Sequence, residues 1–317
     1  MSGSRIRVGI SACLLGEPVR WDGGHKRDVF LVSELGRFVE WLPVCPEVEV
    51  GMGVPRPSVR LVRIEDEIRM VENESERDHT RAMRAYARRR AAALAGQDLC
   101  GYVLKKDSPS CGMERVRVYR AGAPPVRDGR GLFAEALLEA MPWLPVEEEG
   151  RLNDARLREN FIERVFAYRR LRDLFEAAWR LRDVVAFHTA HKLQLMAHAP
   201  KAYAELGRLV AGMKRLPRAE LRERYQARFM AALAKSATPG RNANVLEHMG
   251  GYLRDWLDAA DRAELAGLIR DHRVGLVPLV VPLTLIRHHA RRFGIAYLLG
   301  QVWLDPHPKE LMLRNHV

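Results

Sequence analysis

The chain has no hydrophobic run long enough to cross a bilayer. Its longest uncharged stretch, Val274–Ile286, has 13 residues and holds two prolines, well short of the ~20 apolar residues of a spanning helix. The N-terminal MSGSRIRVGIS lacks the apolar core and cleavage site of a secretory leader, so the reading is cytoplasmic. Cysteine is scarce, with four in 317 residues. That excludes a disulfide scaffold and leaves metal binding or catalysis as the better uses to test. There is no low-complexity tract and no convincing repeat, which excludes a solenoid.

What is present is ordinary for a globular protein: 47% hydrophobic and 29% charged residues, in a length that suits about two domains at ~150 residues each. The net charge of +12 is uneven. Residues 1–150 balance at zero, and the whole excess falls in 151–317. Such asymmetry points to nucleic acid or another anionic surface.

The first half alternates strand-like and helix-like segments. Ile6–Ser11 reads as a buried strand, Leu31–Trp41 as a helix, Leu42–Val44 as a short apolar run, and Leu61–Val71 as a hairpin or strand. Ser75–Ala95 reads as a long helix with Ser75 as N-cap. Gly101–Leu104 and Val116–Tyr119 read as strands and Leu132–Met141 as a helix. This alternation predicts an α/β domain, Rossmann-like with a mostly parallel sheet. Proline, three acids and glycine break the pattern at Trp143–Arg151. Beyond it, 152–235 is almost wholly helical, and helices follow near Val245–Leu257, Arg262–Asp271 and, after a loop, within Val277–Arg292. The second domain is therefore all-α.

Three cysteines share a context. Cys13 follows the first strand, Cys45 follows Leu42–Val44, and Cys111 lies a few residues beyond Gly101–Leu104. In an open α/β sheet, ligands bind beyond the carboxyl ends of the strands, so the three can converge. Their wide spacing argues against a zinc ribbon. Three thiolates suit an iron–sulfur cluster with one open iron; zinc with His25, or small buried cysteines, are the alternatives. Cys100 reads as a plain core residue. Glu47, Glu49, Ser108 and Ser110 flank these cysteines, along with Lys105, Lys106 and Asp107. A carboxylate there could move a proton, or Glu47 could cap a helix and Ser108 shape a turn before Pro109.

The segments SACLLGEPVRWDGG, CPEVEVGMGVPRP and LKKDSPSCG together resemble the thiouracil desulfidase family over roughly the first 140 residues. The stretch FHTAHKLQLMAHAPKAYAELGRLV resembles a helical domain often fused behind it. The resemblance implies a desulfidase domain at 1–147 and a basic helical domain at 151–317. It implies a 4Fe-4S cluster held by Cys13, Cys45 and Cys111 with its fourth iron open, and Glu47 and Ser108 as catalytic residues. The two-domain form is similar to desulfidases of 4-thiouridine in tRNA, which release sulfide by hydrolysing the C–S bond. A small thiolated pyrimidine would be the minimal substrate. The EVEVGMGV stretch departs from the shorter, glycine-rich run of the family, which keeps Glu49 open as the proton shuttle. The rival readings are a desulfidase of free 2- or 4-thiouracil and a non-catalytic iron–sulfur protein that binds RNA or senses redox state.

Arginine dominates the second half, with Arg151, Arg156, Arg158, Arg164, Arg169, Arg170, Arg172, Arg180 and Arg182 close together and a second group from Lys214 and Arg215 to Arg228. Such residues pair with phosphate. They also pair with helix-neighbour acids such as Asp173, Glu176 and Glu220. The excess of Arg over acid favours RNA, with Arg164, Arg169, Arg170, Lys192, Lys214, Arg215, Arg291 and Arg292 as candidate contacts. His188, His191 and His198 sit at helical spacing near one face; a hydrogen-bonded core or interface role fits them better than a metal site, because no Cys or acid joins them.

Overall fold

The computed structural model describes residues 6–176 and 178–316. Residues 1–5, part of the stretch read for a leader, lie outside it, as do Ala177, within the stretch read as helical, and Val317. The chain divides into two compact units, 1–153 and 154–317.

Among the described residues, eight strands run through the first unit: β1 (Ile6–Ser11), β2 (Val39–Val44), β3 (Val59–Ile64), β4 (Glu67–Glu72), β5 (Leu99–Leu104), β6 (Val116–Arg120), β7 (Ala123–Gly129) and β8 (Val146–Glu148). The helices are a single turn, α1 (Pro46–Glu49), then α2 (Thr80–Ala95) and α3 (Leu132–Ala140). β2, β1, β5 and β8 pair in that order, all parallel. β5 is buried along its whole length, the pattern of a parallel strand covered on both faces. Cys100 lies within it, fully buried, as a core residue. Tyr102 of β5 lies over Gly9 of β1, where a Cβ would meet the ring at 2.2 Å, and packs on Phe133 of α3 at 5.9 Å between ring centres. The second sheet, β4-β3-β6-β7, is mixed.

The first unit is α/β as expected, with three local differences. Leu31–Trp41 is not one helix: short helical turns end at Arg37, and Val39–Trp41 enter β2, paired residue for residue with β1. Gly36 weakens the helix, and the β-prone Val39 and Trp41 pair instead. β2 is an edge strand, so Pro43 is tolerated. The second helix starts at Thr80 with His79 before it, not at Ser75. Ser75 instead donates to Glu72, while Thr80 Oγ1 accepts the Met70 N–H at 2.8 Å. β8 falls where a linker was read. Its acids are buried but satisfied: Glu147 meets Arg151 Nε at 2.6 Å and Glu148 accepts the Met113 N–H at 2.8 Å.

The second unit is all helical: α4 (Ala155–Glu176), α5 (Leu181–Ala190), α6 (Lys192–His198), α7 (Pro200–Gly212), α8 (Arg218–Leu233), α9 (Pro239–Leu253), α10 (Ala259–Arg273), α11 (Val280–Arg292) and α12 (Ala296–Leu299). Pro200 and Pro239 stand in the first turns of α7 and α9, where a missing N–H costs nothing. Thr238 and Asp258 cap α9 and α10 through their side chains. α6, α9, α10 and α11 share one apolar core closed by Trp303. No helix among the described residues is long and apolar enough to cross a membrane.

Inside this unit α4 buries Glu159, Asn160 and Glu163. Burial alone would raise the Glu163 carboxyl. His198 at 3.4 Å, Arg314 at 3.9 Å and the Gln194 amide at 2.7 Å outweigh it and hold the carboxyl below its ordinary 4.5. Burial would lower His198, but Glu163 and the Lys235 carbonyl, 2.6 Å from Nδ1, raise it above its ordinary 6.5. Glu163 therefore stabilises the fold above pH 4.5 and loses that contribution as pH falls, whereas His198 stabilises below pH 6.5 and loses it as pH rises through the raised value. The pair's contribution should peak between the two. Glu163→Gln should cost about 3 kcal/mol, and the difference between the wild-type and variant urea-unfolding free energies should shrink at both pH extremes. A difference independent of pH would refute this coupling.

Candidate active site in the first unit

Because β2, β1 and β5 are adjacent and parallel, the loops at their carboxyl ends meet at one edge of the sheet. Cys13 lies in the turn just after β1, which ends at Gly16 with φ of +99°, a conformation glycine adopts without strain. Cys45 leads from β2 into α1. Cys111 ends the loop that follows β5. All three line a single cavity of about 410 Å³ together with Glu47, Ser108 and Ser110, within the ~300–1,000 Å³ range of small-molecule sites.

Two glycines hold the Cys111 loop against the unit. Gly112 donates to Ser108 O at 2.8 Å, and a Cβ there would stand 2.3 Å from Val116. Gly131, before α3, lies so close that its Cβ would reach Ser110 O at 2.4 Å and Cys111 N at 2.8 Å. The Phe133 and Ala134 N–H groups at the start of α3 then donate to Ser110 O. Ser108 Oγ accepts the Cys111 N–H at 3.1 Å, so the turn-forming role read for Ser108 is present alongside its place in the cavity.

Glu47 is fixed from both sides. Its Oε2 accepts from Arg56 NH2 at 2.6 Å and Nε at 3.0 Å, and its Oε1 accepts from Ser110 Oγ at 2.6 Å. Arg56 is 8% exposed and also donates to Gly53 O and Val19 O. Ser108 Oγ lies 3.0 Å from Ser110 Oγ, giving a chain Ser108–Ser110–Glu47–Arg56. Glu49 points elsewhere: it accepts from Tyr86 OH at 2.7 Å and pairs with Arg90 at 3.1 Å, and it does not line the cavity. Sequence reasoning passed over Arg56 and gave Ser110 no role. The signal available was that a carboxylate placed in a pocket needs a cationic partner, and VPRPS carries the nearest arginine.

Burial pushes all three thiols up, Cys13 to about 11. Cys45 adds to the rise at both of the others. Three sulfurs that line one cavity are soft donors, and on losing their protons they fit an iron–sulfur cluster. Among the described residues, no three His, Cys, Asp or Glu side chains are grouped to hold a single metal ion. His25 is exposed, its Nδ1 accepts the Arg27 N–H, and it lies outside the cavity. It gives the zinc alternative no added ligand.

In the second unit, the helix breaks at His191, between α5 and α6, so the three histidines do not form one face. His188 stacks on Tyr203 and meets Tyr225 OH at 3.2 Å. His191 stacks on Phe187 at 3.9 Å and is pushed down to about 3 by burial. His198 belongs to the Glu163 cluster. Of the arginines read toward RNA, Arg170 turns inward to the Pro306 carbonyl and Arg169 pairs with Asp173 at 2.7 Å. Arg164 and Lys192 are half-buried, and Lys214, Arg215, Arg291 and Arg292 are exposed.

Gly131→Ala should push the Ser110–Cys111 loop outward, because the Cβ would meet the backbone of the Ser110–Cys111 peptide. The expected cost is about 1–3 kcal/mol, with a matching loss of iron bound on reconstitution. A variant with wild-type melting and iron content would show that this close approach does not hold the loop.

A family model described as 2-thiouracil desulfurase matches residues 8–149, and a second, described as a protein of unknown function (DUF1722), matches 192–308. Uncharacterized protein YbgA of Escherichia coli (strain K12) is 31% identical over 165 residues, which is 52% of this chain and 98% of that protein. The solved structure of a 4Fe-4S-dependent thiouracil desulfidase, TudS, is 33% identical, covering 47% of this chain and 95% of that chain, with a TM-score of 0.39. With a cavity rimmed by three cysteines inside the matched region, the chain belongs to the 2-thiouracil desulfurase family of sulfide-releasing enzymes, here with a DUF1722 region behind the desulfurase unit.

Proposed function

We propose that this desulfidase acts on 4-thiouridine in tRNA, with a 4Fe-4S cluster held by Cys13, Cys45 and Cys111 and one iron left open. The observation that carries the reading is the convergence of three thiols and an anchored carboxylate on one cavity. The ring carbon that bears sulfur gains the oxygen of water, the C–S bond breaks, and sulfur leaves as sulfide. No electrons are transferred, so turnover needs no reductant. When bound, the cluster supplies a soft Lewis acid toward the thiocarbonyl sulfur. Glu47 takes a proton from the attacking water and returns it to the departing sulfur. Arg56 and Ser110 hold that carboxylate in place, and Ser108 bonds the pyrimidine or the water. A reducing cytoplasm keeps the three thiols unpaired.

The helical unit is assigned to tRNA. Its arginines are partly neutralised, as in Arg172–Glu176 at 2.7 Å and Arg224–Glu220, but Lys214, Arg215, Arg291 and Arg292 make no ion pair among the described residues. They are the better candidates for phosphate, and the thiolated base would leave its stack to enter the cavity. Free thiouracil is the second reading, favoured by a cavity lined wholly by the first unit.

The direct test is anaerobic reconstitution with iron and sulfide, then addition of tRNA containing 4-thiouridine, following its near-ultraviolet absorbance and released sulfide. Matching losses and gains support the reading. An intact cluster with unchanged tRNA but turnover of free thiouracil moves the substrate to the base, and inertness toward both moves the protein to a binding or sensing role. Ser variants of Cys13, Cys45 or Cys111 should lose the brown chromophore, and Cys100→Ser should keep it. Glu47→Gln should keep the chromophore and lower kcat by about 10²–10⁴-fold; undiminished kcat would remove Glu47 from the chemistry.

A further inference from the structure

The helical unit exposes an aromatic strip that the phosphate-facing cations leave unexplained. Tyr252 and Trp256 stand four residues apart along α9 and its end, and Phe293 and Tyr297 stand four apart across the end of α11 and into α12. They meet as two stacked pairs, Tyr252–Tyr297 at 4.5 Å and Trp256–Phe293 at 5.5 Å between ring centres. The inner rings, Phe293 and Tyr297, pack against the apolar core. The outer rings stay open, Tyr252 at 44% and Trp256 at 55% exposure. The Arg292 guanidinium lies 5.1 Å over the Phe293 ring. Arg254 and Arg291 are exposed within two residues of the strip, and with Arg292 they make no ion pair among the described residues. Asp255, between Arg254 and Trp256, is the opposing charge at that spot.

We propose that this strip is a stacking platform for unpaired nucleobases of an RNA strand, with Arg254, Arg291 and Arg292 taking the flanking phosphates. The inference rests on the RNA-substrate reading above and adds to it a site that phosphate contacts alone would not need. A rigid aromatic face held from behind, with guanidinium groups at its edge, matches how single-stranded nucleic acid is held: each base offers a π-face, and the backbone between bases offers negative charge. A protein partner fits less well, because the centre of a protein–protein interface is depleted of charge, whereas here cations interleave with the rings.

The experiment uses the reconstituted full-length protein and a single-stranded oligouridine carrying one 2-aminopurine, whose fluorescence is quenched on stacking. Wild type should bind it with quenching. Trp256→Ala should weaken binding by about ten-fold and relieve the quenching, and Trp256→Phe should restore most of both. The salt dependence of binding should be the same in all three, since no phosphate contact is lost. Replacing Arg254, Arg291 and Arg292 together by Gln should instead flatten it. Tyr252→Ala gives the same readout by a second substitution if Trp256→Ala melts early. Binding and quenching that survive both alanine variants overturn the platform while leaving the tRNA reading intact. Wild type that binds neither the oligonucleotide nor thiolated tRNA overturns both. Wild type that binds tRNA but not the oligonucleotide overturns the platform alone.

Discussion

Burying three thiols and a carboxylate around one cavity creates an electrostatic demand, and much of the first unit's local structure answers it. Arg56 is committed to Glu47 by two nitrogens and spends its remaining donors on the Gly53 and Val19 carbonyls. Val19 O is also the acceptor nearest the Cys45 thiol, at 3.6 Å. Lys105, beside Cys13, lowers that thiol but is itself claimed by Glu149. What the protein supplies is therefore spent mainly on Glu47, while burial holds the three cysteines toward the uncharged thiol.

The second unit solves a similar problem in the opposite way. Glu163, buried at 1% exposure, is surrounded by His198, Arg314 and Gln194, and Glu159 takes Arg314 Nε at 3.0 Å. Here the charges are closed among protein groups, and Arg314, near the end of the chain, ties the last residues to α4. Such a network fixes one arrangement of helices, although Gln194 Oε1 and His198 Nε2 make no hydrogen bond among the described residues. The contrast shows why buried charge alone does not mark a functional site. What matters is whether the compensating group belongs to the chain.

How much of this was legible in the sequence depended on whether a signal was local. Strand ends carrying Cys13, Cys45 and Cys111 could be read because parallel sheets put their carboxyl ends together. The α/β-then-α division could be read from periodicity and from the charge shift. Ser110 could not be assigned, and Arg56 only through the cation that a pocketed carboxylate needs, since their roles come from a turn that brings residue 56 back to residue 47 and a loop that brings residue 110 to the same carboxylate. β8 was hidden because Glu147 and Glu148 look like linker until Arg151 and the Met113 N–H satisfy them. The three histidines looked like one helical face because spacing says nothing of the break at His191.

The distribution of charge bears on why a desulfurase unit carries a second unit at all. The first 150 residues are neutral overall, and the whole +12 lies beyond them. Within the helical unit, Arg169, Arg172 and Arg224 are quenched by acids one turn away and Arg170 is spent on a carbonyl. Exposed cations without an ion pair among the described residues remain at Lys214–Arg215 and beside the aromatic strip, and also at Lys201, Arg208, Arg228, Lys235 and Arg270. Catalysis on a small free base does not by itself use that charge, and net positive charge costs folding stability through self-repulsion. Under the proposed reading an anionic polymer would take up that charge, and the open rings of Tyr252 and Trp256 would suit one with exposed bases. On that reading, a thiolated nucleotide drawn out of a folded RNA leaves neighbouring bases unstacked, and unpaired bases are what exposed rings flanked by guanidinium groups hold.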